Sequence, residues 1–180
     1  MTVDNDRSVT WWECEPKRLV RDLNEVGEAF PELTWVPEGA GRWEGRLPRW
    51  PFDRPEPTRL SELIGNDGMP VTVRYGHAYP MVPPSIFPLD PVPELDEYNW
   101  TRFHVLGDGS LCLLQDSSIW TGRESVVDLL LKAVGWRVEY ALLKSGVIGH
   151  MTVNGIVSDS SSDHLVTQAV EVHVAGEGAG

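Results

Sequence analysis

The sequence of 180 residues predicts an α+β fold in which two helices bracket an antiparallel sheet. Apolar residues recur at helical spacing near the start of the chain and again in its second half. The segment between these two stretches alternates apolar and polar residues with a period of two, as strands do. We therefore expect an N-terminal helix, a four-stranded antiparallel meander, a loop that carries a cysteine, and a long C-terminal helix. The long helix should cover one face of the sheet, with the first helix packed beside it.

The first helix is predicted to begin at Pro16, because proline is favoured at the first position of a helix, and to end before Pro31. Its apolar stripe is Leu19, Leu23, Val26 and Phe30. The second helix is predicted from Arg123 to Ser145. Its apolar face is expected to contain Val127, Leu130, Val134, Val138 and Ala141.

Three segments between the helices have the alternation of strands: Thr34–Val36, Arg42–Pro48 and Pro70–Tyr75. The proline-rich segment 48–57 fits neither a helix nor a strand and is expected to be a connection. Residues Ala78–Pro93 carry six prolines, which predicts an extended and irregular stretch before the cysteine loop.

The length suits one hydrophobic core rather than two. We expect a domain over residues 1–148 and a divergent, partly disordered tail over 149–180. Two tail segments, Val147–Val157 and His164–Val174, are compatible with short strands or weak helices. The final segment, Ala175–Gly180, has too little apolar content to predict an ordered structure.

Charge and composition exclude several classes of partner. Fifteen Lys and Arg residues against 27 Asp and Glu give a net charge of −12, which repels a nucleic-acid backbone. The longest apolar runs, such as Leu129–Leu131, are far shorter than a membrane span, and the acidic N-terminus does not resemble a signal peptide. Two cysteines, Cys14 and Cys112, make no disulfide scaffold. We therefore expect a cytoplasmic protein with no nucleic-acid or membrane partner.

Cys112 is the candidate nucleophile, in the stretch HVLGDGSLCLLQDSSIW that runs from His104 to Trp120. A thiol that carries an acyl group must be accessible, must attack as the thiolate, and must be a good leaving group. Gly107 and Gly109 permit a tight turn with positive φ and leave room for an incoming protein C-terminus. From this local pattern alone, a buried structural cysteine flanked by leucines is an equally good interpretation.

Other chemistries have weaker support in the sequence. Cys112, His104, His77 and Cys14 lack the paired spacing of metal ligands. In papain-like enzymes the cysteine comes before the histidine, which is the reverse of the order here. The glycines around Asp108 lack the following lysine of a phosphate-binding loop. We therefore expect no metal and no cofactor.

A set of residues in order along the chain resembles the pattern of the ubiquitin-conjugating enzymes. That family has a Tyr-Pro pair followed by proline, a His-Pro-Asn tripeptide, a Gly-x-Ile-Cys loop, a tryptophan and a long helix. The corresponding residues here are Tyr79, Pro80, Pro83, Pro84, His104, Gly109, Cys112 and Trp120. The resemblance covers residues 16–145. The chain resembles the divergent bacterial members, which occur in ubiquitin-like conjugation systems, several of them antiviral.

This resemblance implies a ubiquitin-conjugating-enzyme-like fold and an acyltransferase activity. Cys112 would accept a ubiquitin-like modifier from an activating enzyme as a thioester and pass it to an amine of a target protein. His104 would chiefly hold the loop through hydrogen bonds, with general-base catalysis as its alternative role. Tyr79 and the prolines that follow it would be scaffold, with a cis peptide bond among them. Trp120 would pack over the start of the second helix.

Two departures from the family pattern concern the site. Val105 and Leu106 stand where the family has Pro-Asn, and the interval from His104 to Cys112 is shorter. The family's asparagine is thought to stabilise the oxyanion formed when an amine attacks the thioester. A backbone N–H, His104, Asn99 or Ser118 would have to replace it. The alternative function is a catalytically silent module or adaptor that binds a ubiquitin-like protein; Cys112 argues against it and the missing asparagine argues for it.

Two carboxylates, Asp108 and Asp116, flank the cysteine in the sequence. Either one can orient an incoming lysine amine, and the simpler interpretation of both is a solvated loop charge.

Overall fold

The computed structural model describes residues 9–98, 101–116, 119–152, 155–157 and 159–177. Its helices and strands, in chain order, are α1 (Trp11–Cys14), α2 (Pro16–Ala29), β1 (Leu33–Val36), β2 (Arg42–Leu47), α3 (Leu60–Ile64), β3 (Met69–Arg74), β4 (Ser85–Pro88), a 3-10 turn (Leu95–Glu97), α4 (Val126–Lys144) and α5 (Leu165–Glu177). This is an α+β arrangement, as predicted. In the described part of the chain, no helix has both the length and the apolar content needed to cross a membrane.

The sheet has the strand order β1-β2-β3-β4, and each strand is antiparallel to its neighbour. One row of residues opposite each other crosses all four strands: Trp35, Trp43, Val73 and Ile86. The last three of these are buried, so this face of the sheet meets the core. The predicted four-stranded antiparallel meander is confirmed. The fourth strand lies inside the proline-rich stretch, where the sequence predicted only irregular structure.

The two predicted long helices are present with shifted ends. Helix α2 begins at Pro16, as predicted. Helix α4 begins three residues later than predicted, because the hydroxyl of Ser125 accepts a hydrogen bond from the N–H of Val127 and caps the helix. The burial of α4 extends beyond the predicted apolar face. Thirteen of its nineteen residues are buried, because α4 contacts the helices α2, α3 and α5.

The segment after residue 148 packs against the same core. Met151, Ile156 and Val166 are buried. Arg54 donates hydrogen bonds to the carbonyl oxygens of Ile156 and Val157, at 2.6 and 2.9 Å, and pairs with Asp163. Helix α5 continues through Ala175–Glu177, where the sequence predicted disorder, and residues 178–180 lie outside the described residues.

A buried polar cluster joins α2 to the sheet and to the start of α4. The carboxylate of Asp22, only 2% exposed, accepts hydrogen bonds from Tyr79 at 2.5 Å, from Tyr75 at 3.3 Å and from Arg18 at 2.8 Å. Arg18 also donates to the carbonyl oxygens of Gly122 and Glu124. Burial raises the pKa of Asp22, while the hydrogen bond from Tyr79 and the charge of Arg18 oppose that rise. We call these four side chains the Asp22 cluster.

We expect Asp22→Ala to lower the free energy of unfolding by about 3–5 kcal/mol, because it leaves a buried guanidinium without its counter-charge and two buried hydroxyls without their acceptor. Urea unfolding followed by tryptophan fluorescence measures this loss. Glu28→Ala is the matched control, since Glu28 is exposed on the same helix, and should change stability by less than about 0.5 kcal/mol. Equal, small losses in both variants would show that the cluster does not hold the fold.

Candidate active site

The segment from His104 to Cys112 forms a small hairpin. Val105 and Leu111 make an antiparallel bridge, and the N–H of Leu106 donates to the carbonyl oxygen of Ser110 at 2.8 Å. These bonds bring the two ends of the segment together. The candidate cysteine therefore lies at the base of a hairpin, opposite the candidate histidine.

The turn of the hairpin is built by Gly109 and Asp108. Gly109 has φ +84°, as predicted, and the ring of Tyr98 lies where a β-carbon would stand. Gly107 does not adopt a positive φ, so that part of the prediction was wrong. The carboxylate of Asp108 accepts hydrogen bonds from both the N–H and the hydroxyl of Ser110. These bonds lower the pKa of Asp108 and give it a role in the turn rather than at the thiol.

Two hydrogen bonds fix the hairpin between the sheet and α4. The N–H of Leu111 donates to the carbonyl oxygen of Ile86 in β4 at 2.9 Å. The indole N–H of Trp136, in α4, donates to the carbonyl oxygen of Phe103 at 2.8 Å. The position of Cys112 is therefore set by the last strand on one side and by the long helix on the other.

His104 and Cys112 are paired through their main chains. The N–H of Cys112 donates to the carbonyl oxygen of His104 at 2.8 Å, and Nδ1 of His104 lies 3.3 Å from the carbonyl oxygen of Cys112. Since a carbonyl can only accept, Nδ1 is the donor in this contact. His104 also has φ +52°, which non-glycine residues rarely adopt. These contacts join the two ends of the hairpin at His104 and Cys112.

The thiol of Cys112 is half-buried, and Sγ lies 3.8 Å from the carbonyl oxygen of Leu114. Cys14, in α1, is exposed. Exposure by itself therefore favours Cys14 as the more accessible thiol. Any preference of a reagent for Cys112 must therefore come from its surroundings.

Cys112 and His104 line a pocket of about 670 Å³. Its opposite wall is α4, which contributes Lys132, Trp136 and Glu139. These residues are four and three positions apart, so they lie on one face of the helix. Residues after 148 complete the wall: Met151, Thr152 and Gly155.

Glu139 is the buried carboxylate of this pocket, 3% exposed. Its Oε1 accepts hydrogen bonds from the N–H of Thr152 at 3.1 Å and from its hydroxyl at 2.5 Å. Burial raises the pKa of Glu139, and the bonds from Thr152 oppose that rise. Sequence reasoning missed Glu139 and Lys132. The available signal was the presence of charged residues inside an otherwise apolar helix.

The remaining predicted residues are placed as follows. Trp120 is buried and donates from its indole N–H to the carbonyl oxygen of Pro80 at 2.7 Å, next to the cis peptide bond between Tyr79 and Pro80.

Asp116, the second carboxylate that flanks the cysteine in the sequence, is exposed. Asn99 and Ser118, named as replacements for the missing asparagine, lie outside the described residues. Within the described ranges, no three His, Cys, Asp or Glu side chains are grouped to hold a metal ion.

We expect Glu139→Gln to stabilise the protein increasingly as the pH rises. Burial raises the folded-state pKa of Glu139, so with rising pH the unfolded chain loses this proton first and the residue's contribution to stability falls. Glutamine keeps an oxygen that accepts from Thr152 and does not titrate. The gain in unfolding midpoint should be largest near pH 8 and disappear below about pH 3, where glutamate is protonated in both states. Glu171→Gln, at an exposed site in α5, should leave the pH profile unchanged. A parallel profile for Glu139→Gln would contradict this account.

Neither a protein-family model nor a curated protein matches this chain. The chemistry of the site is therefore inferred from the hairpin, the pocket and the side chains that line them.

Proposed function

We propose that this protein carries a ubiquitin-like modifier as a thioester on Cys112 and transfers it to an amine of a target protein, as ubiquitin-conjugating enzymes do. The observation that carries the proposal is the placement of Cys112. It lies at the base of a hairpin held to both the sheet and α4, and it opens into a pocket of about 670 Å³. The order of helix, antiparallel meander, cysteine loop and long helix supports the same proposal.

Charging of Cys112 is an exchange between two thiols. The thiolate of Cys112 attacks the carbonyl carbon of the modifier's thioester with the activating enzyme. The new carbon–sulfur bond forms as the old one breaks, and the activating enzyme's cysteine leaves as a thiolate. Because thiolates are both good nucleophiles and good leaving groups, this exchange needs little stabilisation of the oxyanion.

Transfer to an amine is the more demanding step, because a positioned donor to the oxyanion is typically worth about 3–4 kcal/mol in hydrolases. Val105 and Leu106 have apolar side chains where the family has its Pro-Asn. The ring of His104 is already bonded to the carbonyl oxygen of Cys112. We therefore propose a carrier that charges readily and discharges slowly unless a partner assists.

A binding module without chemistry is the second candidate function. The half-burial of Cys112 favours it, because a thiol that is less exposed than Cys14 is poorly placed to meet a large partner. The two candidates differ in whether Cys112 takes an acyl group at all.

We expect Cys112 to be acylated faster than Cys14 by a peptide that ends in Gly-Gly as a mercaptoethanesulfonate thioester. Intact-mass spectrometry of the folded protein should show one adduct that excess thiol removes. Cys14→Ser should keep this adduct and Cys112→Ala should lose it. With ATP, and with the activating enzyme and ubiquitin-like protein of the same organism, the larger adduct should depend on Cys112 in the same way.

Acylation of Cys14 alone, or no ATP-dependent adduct with those partners, would favour the binding module.

We expect His104→Ala to slow the charging of Cys112 about tenfold, which corresponds to about 1.4 kcal/mol. The variant loses the bond from the ring to the Cys112 carbonyl, and it puts alanine at φ +52°, a conformation in which histidine is enriched and alanine is not. His104→Asn should be milder, because asparagine tolerates that backbone conformation. Single-turnover charging and discharge assays measure both steps. Normal charging with slow transfer would instead make His104 the oxyanion donor, and normal rates in both steps would remove it from the site.

A further inference from the structure

We infer that Lys132 is an internal acceptor, so that the acyl group carried on Cys112 passes to Nζ of Lys132 and the protein modifies itself within the pocket. This inference rests on the proposed function, because it requires that Cys112 carry an acyl group. It adds a modification site that the proposed function does not contain.

The chain has only three lysines, which are Lys17, Lys132 and Lys144. Lys17 is exposed on α2, and Lys144 is exposed at the end of α4. Lys132 alone among them lines the pocket that also contains Cys112. In a chain with so few amines, the placement of one beside the candidate nucleophile identifies a specific acceptor.

The ammonium group of Lys132 contacts the main chain of the residue that follows Cys112. Its Nζ donates to the carbonyl oxygen of Leu113, the residue that follows Cys112, at 3.4 Å. This distance is at the long end of the hydrogen-bonding range, so the bond is weak and is readily exchanged for another. The four-carbon stem of lysine is flexible and its ammonium donors rotate, so Nζ can exchange this bond for another partner in the pocket.

The ionic surroundings of the lysines differ. Lys144 makes two ion pairs, at 2.7 Å with Glu94 and at 2.9 Å with Glu97, which raise its pKa and keep it protonated. No carboxylate oxygen within the described ranges lies within 4 Å of Nζ of Lys132. No ion pair therefore has to break before Nζ of Lys132 can move.

The step balances with no further reactant. The ammonium of Lys132 gives one proton to water in the open pocket, and the neutral amine attacks the carbonyl carbon of the thioester on Cys112. A carbon–nitrogen bond forms, the carbon–sulfur bond breaks, and the sulfur leaves with its electron pair. The nitrogen's second proton passes to that thiolate. The products are an amide on Lys132 and the free thiol of Cys112, which is ready to be charged again.

The test uses the folded full-length protein and the same Gly-Gly peptide thioester. After charging, the protein is treated with excess thiol and hydroxylamine, which remove thioesters and leave amides, and the remaining adduct is mapped by mass spectrometry. We expect one stable adduct on Lys132, at a first-order rate that does not depend on protein concentration. The rate should rise with pH, because the attacking amine must be neutral.

Matched variants separate this route from direct acylation. At equal extents of thioester, Lys132→Arg should form at least about tenfold less stable adduct, while Lys17→Arg and Lys144→Arg should match the wild type. Cys112→Ala should abolish the adduct on Lys132, because the acyl group must pass through the thiol. Circular dichroism of each variant confirms that it is folded.

Every other outcome overturns the inference, and each one shows whether the proposed function fails with it. A charged Cys112 with no stable adduct, or with adducts spread over Lys17 and Lys144, rejects Lys132 as acceptor and leaves the proposed function intact. A rate that rises with protein concentration makes the transfer intermolecular and rejects the internal route. Failure of Cys112 to take the acyl group removes both the inference and the proposed function.

Discussion

The carboxylate of Asp22 is the interaction on which the rest of the structure depends. It brings together α2, the end of β3 at Tyr75, and the Tyr79 turn before β4. Through Arg18 it also reaches the segment that precedes α4. A buried carboxylate is costly unless several donors satisfy it, so its three partners must occupy their places together. The sheet, α2 and the start of α4 are thereby fixed relative to one another.

The Asp22 cluster is connected to the candidate site through a series of hydrogen bonds. The Tyr79 turn holds Trp120 through the carbonyl oxygen of Pro80, just before α4 begins. The hairpin that carries Cys112 then has two fixed supports, Ile86 in β4 and Trp136 in α4. Both supports are hydrogen bonds to main-chain carbonyl oxygens, and they hold the backbone at the two ends of the hairpin.

The pocket combines groups of opposite chemical character. Glu139 is a buried carboxylate held by Thr152, and Lys132 is an amine held weakly by Leu113. Both lie on the face of α4 that looks toward the hairpin, and the segment after residue 148 closes the far side. The pocket therefore brings a thiol and an amine of the same chain to one cavity.

The sequence by itself determined the α+β class, the start of α2 at Pro16 and the antiparallel meander, because helical and strand periodicities are local properties of the chain. It also singled out Cys112 and His104, since a glycine turn and a nearby histidine are adjacent in sequence.

Lys132 and Glu139 became part of the pocket only in the tertiary structure. They lie 20 and 27 positions after Cys112 and meet it through the packing of α4, which no local pattern encodes. The same holds for the tail, whose Ile156 and Asp163 are fixed by Arg54 from a proline-rich connection more than a hundred residues earlier. Such long-range contacts depend on burial and hydrogen bonding in three dimensions, which is why only the folded chain decided them.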